Sequence, residues 1–227
     1  RALEEELRVP GVRMLFILTN SRALLPEESR QLYLELGERL REIALAEGLK
    51  LLVISRSDST LRGHFPLEPE ALGCKLYPQG QPPCLLIPAF CEGGRLTVDD
   101  VHYVRDGARF FPAGQTEFAK DPSFPYTKSN LKEWVEEKTS GRIPADTVAS
   151  ISLEAIRAGG PEVVEGQLAA LKSGTFCVVN AADSKDLWVV AVAVLRRVRA
   201  GQALLFAGSH IFIQDGLDGL APLGLFG

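Results

Sequence analysis

Two short apolar runs with one long amphipathic stretch between them constrain this chain more than any other feature. Residues 12–18 and 50–54 are each too brief for a helix, and each ends in polar sequence, as a buried strand does on leaving a core. Between them Pro26, Glu27 and Glu28 make a good first turn. Leu32, Leu36, Leu40 and Ile43 recur at helical spacing, and Gly48 stops the pattern. Strand, helix, strand means a parallel crossover, which commits the chain to a sheet covered by helices. Further strands are predicted at 84–87, 175–179 and 203–206, the last two joined by a helix over 184–199 with Gly201 just past its end. Ser129, Ser152 and Pro161 read as starting points of other helices, the first carrying Leu131, Trp134 and Val135 on one face. Within 94–128 the texture becomes alternating, and Asp106-Gly107 stands before Arg109-Phe110-Phe111 as a hairpin turn would. The predicted fold class is therefore α/β: a three-layer, mostly parallel sheet flanked by helices, with an antiparallel hairpin insertion around residues 94–128.

Composition narrows the partners. A formal net charge of -4 provides no field for a polyanion, so nucleic acid is not expected as a partner. No apolar run approaches the roughly 20 residues that span a bilayer, and the amino terminus lacks a signal-peptide layout, so no membrane partner and a cytoplasmic location are expected. Cys74, Cys84, Cys91 and Cys177 form no C-x-x-C pair and read as small core residues. His64, His102 and His210 lie in separate segments, so no metal site is predicted. His64, beside Gly63, is the histidine expected nearest a ligand. The chain has no G-x-S-x-G elbow, phosphate loop or G-x-G-x-x-G, so neither a serine triad nor a nucleotide site is visible.

The predicted strands lead into loops at 19–22, 55–63, 88–95, 180–183 and 208–210. In an open parallel sheet such loops wall the ligand site. The second of them, Arg56-Ser57-Asp58-Ser59-Thr60-Leu61-Arg62-Gly63, places two guanidinium groups around a carboxylate and hydroxyls, with Gly63 permitting a turn that larger side chains resist. Guanidinium groups grip carboxylates with paired hydrogen bonds and hydroxyls serve hydroxyls, so a small acidic, hydroxylated substrate fits this inventory. The alternative is internal: Asp58 pairs with Arg56 or Arg62, while Ser59 or Thr60 caps a helix. Ser21 and Arg22 add a guanidinium and a hydroxyl at the neighbouring strand end. Glu92-Gly93-Gly94-Arg95 is a weaker anion candidate, and Lys120-Asp121 and Lys138-Thr139 read as solvated or capping residues.

These segments, together with Pro88-Ala89-Phe90, Thr116-Glu117-Phe118-Ala119-Lys120-Asp121 and Trp134-Val135-Glu136-Glu137-Lys138-Thr139, resemble the amino-terminal, sugar-binding domain of the four-carbon acid sugar kinase family. The resemblance implies an ATP-dependent kinase acting on threonate- or erythronate-type acids. In such a kinase Ser21, Arg22, Arg56, Asp58, Ser59, Thr60, Arg62 and Gly63 bind substrate. Asp58 is a candidate base, though its more natural role is to orient Arg62 or the substrate. ATP and Mg²⁺ would be held by a carboxyl-terminal nucleotide-binding domain that is a partner rather than part of this chain. A homodimer is left open. Family members open with a strand ending in Asp-Asp-x-Thr-Gly, and Ala207 stands where they carry an arginine. Residues 1–227 are thus expected to form a single sugar-acid-binding domain lacking the family's first strand. A noncatalytic sugar-acid-binding module or a degenerate relic is the alternative function.

Overall fold

The computed structural model describes residues 14–56 and 58–208, together with Glu5; expectations placed on 1–9, 12, 13, Ser57 and 209–223 otherwise lie outside the described residues. The first long element is α1 (Pro26–Glu47), begun by Pro26 at its first turn, where the Leu25 amide donates to Glu28 Oε2 at 2.9 Å, and ended by Gly48 at φ 64°. β1 (Ile54–Arg56), α2 (Leu67–Leu76) and β2 (Cys84–Ile87) follow, so the first crossover runs through α2, a helix not expected from the sequence, and not through α1. Next comes the antiparallel sheet of β3 (Arg95–Val98), β4 (Val101–Asp106) and β5 (Arg109–Pro112). Its second turn has Gly107 at φ 58° between the paired Asp106 and Arg109. α3 (Leu131–Lys138), β6 (Ala149–Ile151), α4 (Leu153–Arg157), α5 (Gly160–Ala170), β7 (Phe176–Val179), α6 (Ser184–Arg199) and β8 (Leu205–Gly208) complete the described chain.

The main sheet is parallel in the order β1-β8-β2-β7-β6. Its central strands are continuous apolar runs because both faces are covered. Leu85, Ile87, Cys177, Val179 and Phe206 face α5 and α6, while Leu86, Phe176, Val178, Leu205 and Ala207 face α3 and the hairpin sheet. The hairpin insertion is thus a packed layer rather than a loose appendage. Val104 and Ala113 are buried in the second core, and Thr97 bridges to Ala181 just past the end of β7.

Several local expectations are corrected. Residues 14–18 of the first apolar run adopt no strand, and Phe16 and Leu18 are 65% and 93% exposed: the run has the composition of a core strand but no strand to pair with among the described residues. β1 begins only at Ile54, at the sheet edge, so residues 50–53 lack the ladder that their composition would suit. The cap of α3 is Asn130, whose Oδ1 accepts from the Lys132 and Glu133 amides, while Ser129 Oγ accepts from the Gly114 amide instead. Ser152 and Pro161 start α4 and α5 as expected. Cys84 and Cys177 are buried, and burial pushes the Cys177 thiol up to about 12; Cys74, by contrast, is exposed because it lies on the outer side of α2.

Candidate functional site

The 19–22 segment, which follows no strand among the described residues, meets the loop after β1. Arg22 leaves the 3-10 turn Ser21–Ala23, and its Nη1 lies 3.2 Å from Asp58 Oδ2. Arg62 approaches the same oxygen with Nε at 2.7 Å, and the Thr60 hydroxyl donates to it as well. Arg62 Nε is also 3.0 Å from Thr60 Oγ1. One carboxylate oxygen therefore collects three donors, and among the described residues none reaches Oδ1. Arg22 is about half exposed, whereas Asp58 and Arg62 are partly covered, so both guanidinium groups keep N–H bonds open to solvent.

The backbone is bent to make this possible. Asn20 has φ 50° and Leu61 φ 65°, so each arginine follows closely on a non-glycine residue in the left-handed region. Such a conformation costs on the order of 1–3 kcal/mol and persists only where its surroundings impose it. The surroundings are identifiable here: Leu61 is buried in the core beside α3, and Tyr126 donates to the Thr60 carbonyl at 2.9 Å. His102 Nε2 donates to the Ser59 carbonyl at 2.8 Å while its Nδ1 accepts from Thr97 at 3.0 Å. Burial pushes the His102 pKa down to about 4, so the ring is neutral at pH 7 and this pair of bonds is fixed. Gly63, at φ 145°, completes the turn.

His64 is buried, with its ring held against backbone carbonyls. Its Nε2 lies 3.1 Å from both the Ser21 and Leu24 carbonyls, so it ties the Arg22 loop to the Arg62 loop from beneath. Behind it Ser21 Oγ is buried 3.4 Å from the Tyr33 hydroxyl, and Glu68, whose carboxyl is raised by burial, accepts from Ser29 at 3.3 Å. The void under the loop, lined by Leu61, Gly63, Glu68, Trp134 and Ala207, measures about 10 Å³. That is room for about one water, while Arg22 and Arg62 open on the solvent side of the loop.

The other expected residues divide. Arg56 is exposed and has no ion pair among the described residues, so it does not pair with Asp58. Thr60 spends its hydroxyl on Asp58, and Ser59 contributes its carbonyl to His102. Arg95 Nη1 folds back onto the Gly93 carbonyl at 2.6 Å, and Asn180 is buried in a network with Asp100 and Ser150, so neither loop reaches the Asp58 cluster through these bonds. Asp121, expected to be solvated or capping, caps the Ser123 and Phe124 amides, which hold its carboxyl below the usual range, and also lies 3.5 Å from Arg62 Nη1. Phe118 lies under the Arg62 guanidinium at 5.1 Å. Sequence spacing alone could not place these two beside Arg62, because they come from the far end of the hairpin insertion.

No curated protein matches this chain. Among solved structures, a protein of the domain-of-unknown-function family DUF1537 from Bordetella bronchiseptica is 27% identical. It was solved with bound citrate and described as a domain-swapped dimer in two crystal forms, with TM-scores of 0.66 and 0.68. These alignments cover 88% and 93% of this chain but only 43% and 46% of the other. A Haemophilus influenzae DUF1537 protein shares the fold at 20% identity and TM-score 0.66, over 88% of this chain and 45% of its own. The chain thus spans less than half the length of the structures it matches. Residues 2–214 match the family described as the sugar-binding N-terminal domain, and the chain belongs to that family.

Proposed function

We propose that this domain binds a four-carbon sugar acid of the threonate or erythronate type, as the substrate half of an ATP-dependent kinase. The observation that carries the reading is the convergence of Arg22 and Arg62, from two separate loops, on one oxygen of Asp58. Asp58 holds the two guanidinium groups apart and aimed outward, and their remaining N–H bonds suit a substrate carboxylate. Asp58 orients rather than abstracts a proton, because three donors already engage its Oδ2. Asp121 and Asp58 Oδ1, which has no donor among the described residues, can accept from substrate hydroxyls.

The citrate bound to the Bordetella relative supports a small polycarboxylate or hydroxy acid as ligand, and its domain-swapped dimer supports a homodimer here. Among the described residues no group of three or more His, Cys, Asp or Glu is arranged to hold a metal. The family resemblance assigns ATP and Mg²⁺ to a carboxyl-terminal domain, and what the residues of this domain supply is binding and orientation of the acid. No helix among the described residues is long and apolar enough to cross a membrane, and a cytoplasmic setting fits a metabolic kinase.

Calorimetric titration with threonate, erythronate and citrate tests the reading. Heat with a four-carbon acid that disappears in Arg22→Ala and Arg62→Ala is expected, and no heat with any of the three would remove the proposal. Adding ATP separates kinase half from noncatalytic module only when the nucleotide domain is supplied. Turnover by this chain alone would contradict the division of labour.

A further inference from the structure

We propose that Arg95 is a second anion contact of the sugar-acid site, placed to receive the phosphoryl group or second carboxylate at the far end of an acid whose first carboxylate is held by Arg22 and Arg62. The inference rests on the sugar-acid reading and adds to it the class of ligand, an acid with an anionic group at each end.

The hairpin sheet presents Arg95 on the side that meets the Asp58 loop. In the β3–β4 ladder Thr97 stands opposite His102, and Arg95 opposite Val104. Side chains alternate along a strand, so 95 and 97 share a face with 102 and 104. That face is the inner one: Val104 is buried in the core beside α3, and His102 Nε2 donates to the Ser59 carbonyl at 2.8 Å. The His102 ring senses both the Arg95 guanidinium and the Asp58 carboxylate, which places the three groups in one neighbourhood. The Asp58 loop leaves β1 and the segment leading to Arg95 leaves β2, with only β8 between them. Two strand spacings are about 10 Å. An extended four-carbon acid with a phosphate on its terminal oxygen has six bonds from carboxylate oxygen to phosphorus, as many as two extended residues, or about 7 Å. Ligand length and loop separation are of the same order.

The Arg95 guanidinium is held in place without being satisfied. Its Cζ lies 5.8 Å from the centre of the Phe90 ring, much as Arg62 lies over Phe118 at 5.1 Å, and its Nη1 donates to the Gly93 carbonyl. The turn is shaped around this arrangement: a Cβ on Gly93 would stand 2.7 Å from Arg95 Nη1 and would strike the Phe90 ring. Yet Arg95 makes no ion pair among the described residues, and its Nε is buried without an acceptor. The Nε edge is the part of a guanidinium that grips an oxyanion with two parallel bonds, as Arg157 grips Asp186 through Nε and Nη2 at 2.8 Å each. A buried donor left unmet calls for an explanation, and a ligand oxyanion supplies one that the single bond to Gly93 does not.

The experiment is calorimetric titration of the full 227-residue chain with threonate, with the tartrate of matching configuration, which carries a carboxylate in place of the terminal alcohol, and with threonate 4-phosphate. The readout is the ratio of each dianion's affinity to that of threonate. At least one ratio should be about tenfold or more, the low end of what a charge-assisted hydrogen bond contributes. It should collapse toward one in Arg95→Gln and take an intermediate value in Arg95→Lys, which keeps a cation on a similar stem and makes the test independent of how well the Gln variant folds. In Arg62→Ala all three ligands should weaken with the ratio kept. A gain with both dianions supports recognition of any second anion, and a gain with the phosphate ester alone supports a phosphoryl contact. Threonate binding with no gain from a second anion, a gain that survives both Arg95 variants, or a gain lost in Arg62→Ala instead would overturn the role of Arg95 and leave the sugar-acid reading standing. Absence of binding by all three ligands would overturn both.

Discussion

Two aspartates in this domain each bind arginine, and the difference between them separates structure from function. Asp186, at the start of α6, is saturated. Arg157 donates Nε to Oδ1 and Nη2 to Oδ2, both at 2.8 Å, and the Ala182 and Asp183 amides donate to Oδ2 at 2.9 Å. Its side chain is 4% exposed, and this double engagement keeps its carboxyl low in spite of burial. Asp58 has the same kind of partner in the opposite arrangement: donors crowd one oxygen, the other takes none among the described residues, and two guanidinium groups present unused N–H bonds to solvent. A pair that consumes its own hydrogen bonds fixes a helix end, whereas one that leaves them unspent can hold something else.

If that contrast is right, Asp186→Ala has the largest effect on stability and none on ligand affinity. Two helix-start amides lose their acceptor, while the half-exposed Arg157 can rehydrate. The expected cost is about 3–4 kcal/mol by urea unfolding. A loss below about 1 kcal/mol would show that Asp186 is no more structural than Asp58.

Acid should act on the Asp58 side of the molecule through His102. The unfolded chain takes up a proton at the ordinary histidine pKa near 6.5, the folded chain only near 4. Protonation therefore favours the unfolded state, and stability falls as pH drops from 7 to 4, by about 3 kcal/mol for this group. Glu68 has the opposite sign: burial raises its carboxyl, so its contribution is lost as pH rises through its folded value. Comparing the native chain with His102→Gln isolates the histidine, and the variant's stability should be flatter over that window. An equally steep variant would detach His102 from the loop.

Arg62→Ala comes next. It should weaken sugar-acid binding by about 1.5–3 kcal/mol, the value of a charge-assisted hydrogen bond, with a stability loss of about 1 kcal/mol. The two readouts together discriminate: a stability loss as large as that of Asp186→Ala with unchanged affinity would make Arg62 a structural partner like Arg157.

The architecture was legible because buried parallel strands and amphipathic helices leave different periods in sequence, as 84–87 and 184–199 show. Residues 14–18 were misread because apolar composition reports what a segment could bury and not whether a neighbouring strand is there to receive it. The Arg22–Asp58–Arg62 grouping was visible as two polar loops brought together, although the first of them follows no strand among the described residues. The bonds of His64 to the Ser21 and Leu24 carbonyls were not legible, because adjacency to a glycine turn says nothing about which side the ring takes. Asp121 and Phe118 come from beyond the hairpin, a distance that no local pattern spans.

The smallest expected effect belongs to Arg56, and it bears directly on the comparison. In sequence Arg56 and Arg62 both flank Asp58, but β1 ends at Arg56 with its side chain exposed and unpaired among the described residues, while Arg62 turns back over Phe118 onto the carboxylate. A strand alternates its side chains, and the left-handed Leu61 reverses the chain only after Asp58, so one flank is carried away from the carboxylate and the other toward it. Arg56→Ala should therefore change both unfolding free energy and sugar-acid affinity by less than about 0.5 kcal/mol, the ordinary range for a surface substitution. An affinity loss comparable to that of Arg62→Ala would mean that ligand recruits Arg56, and that the open valences around Asp58 are filled from both ends of the loop.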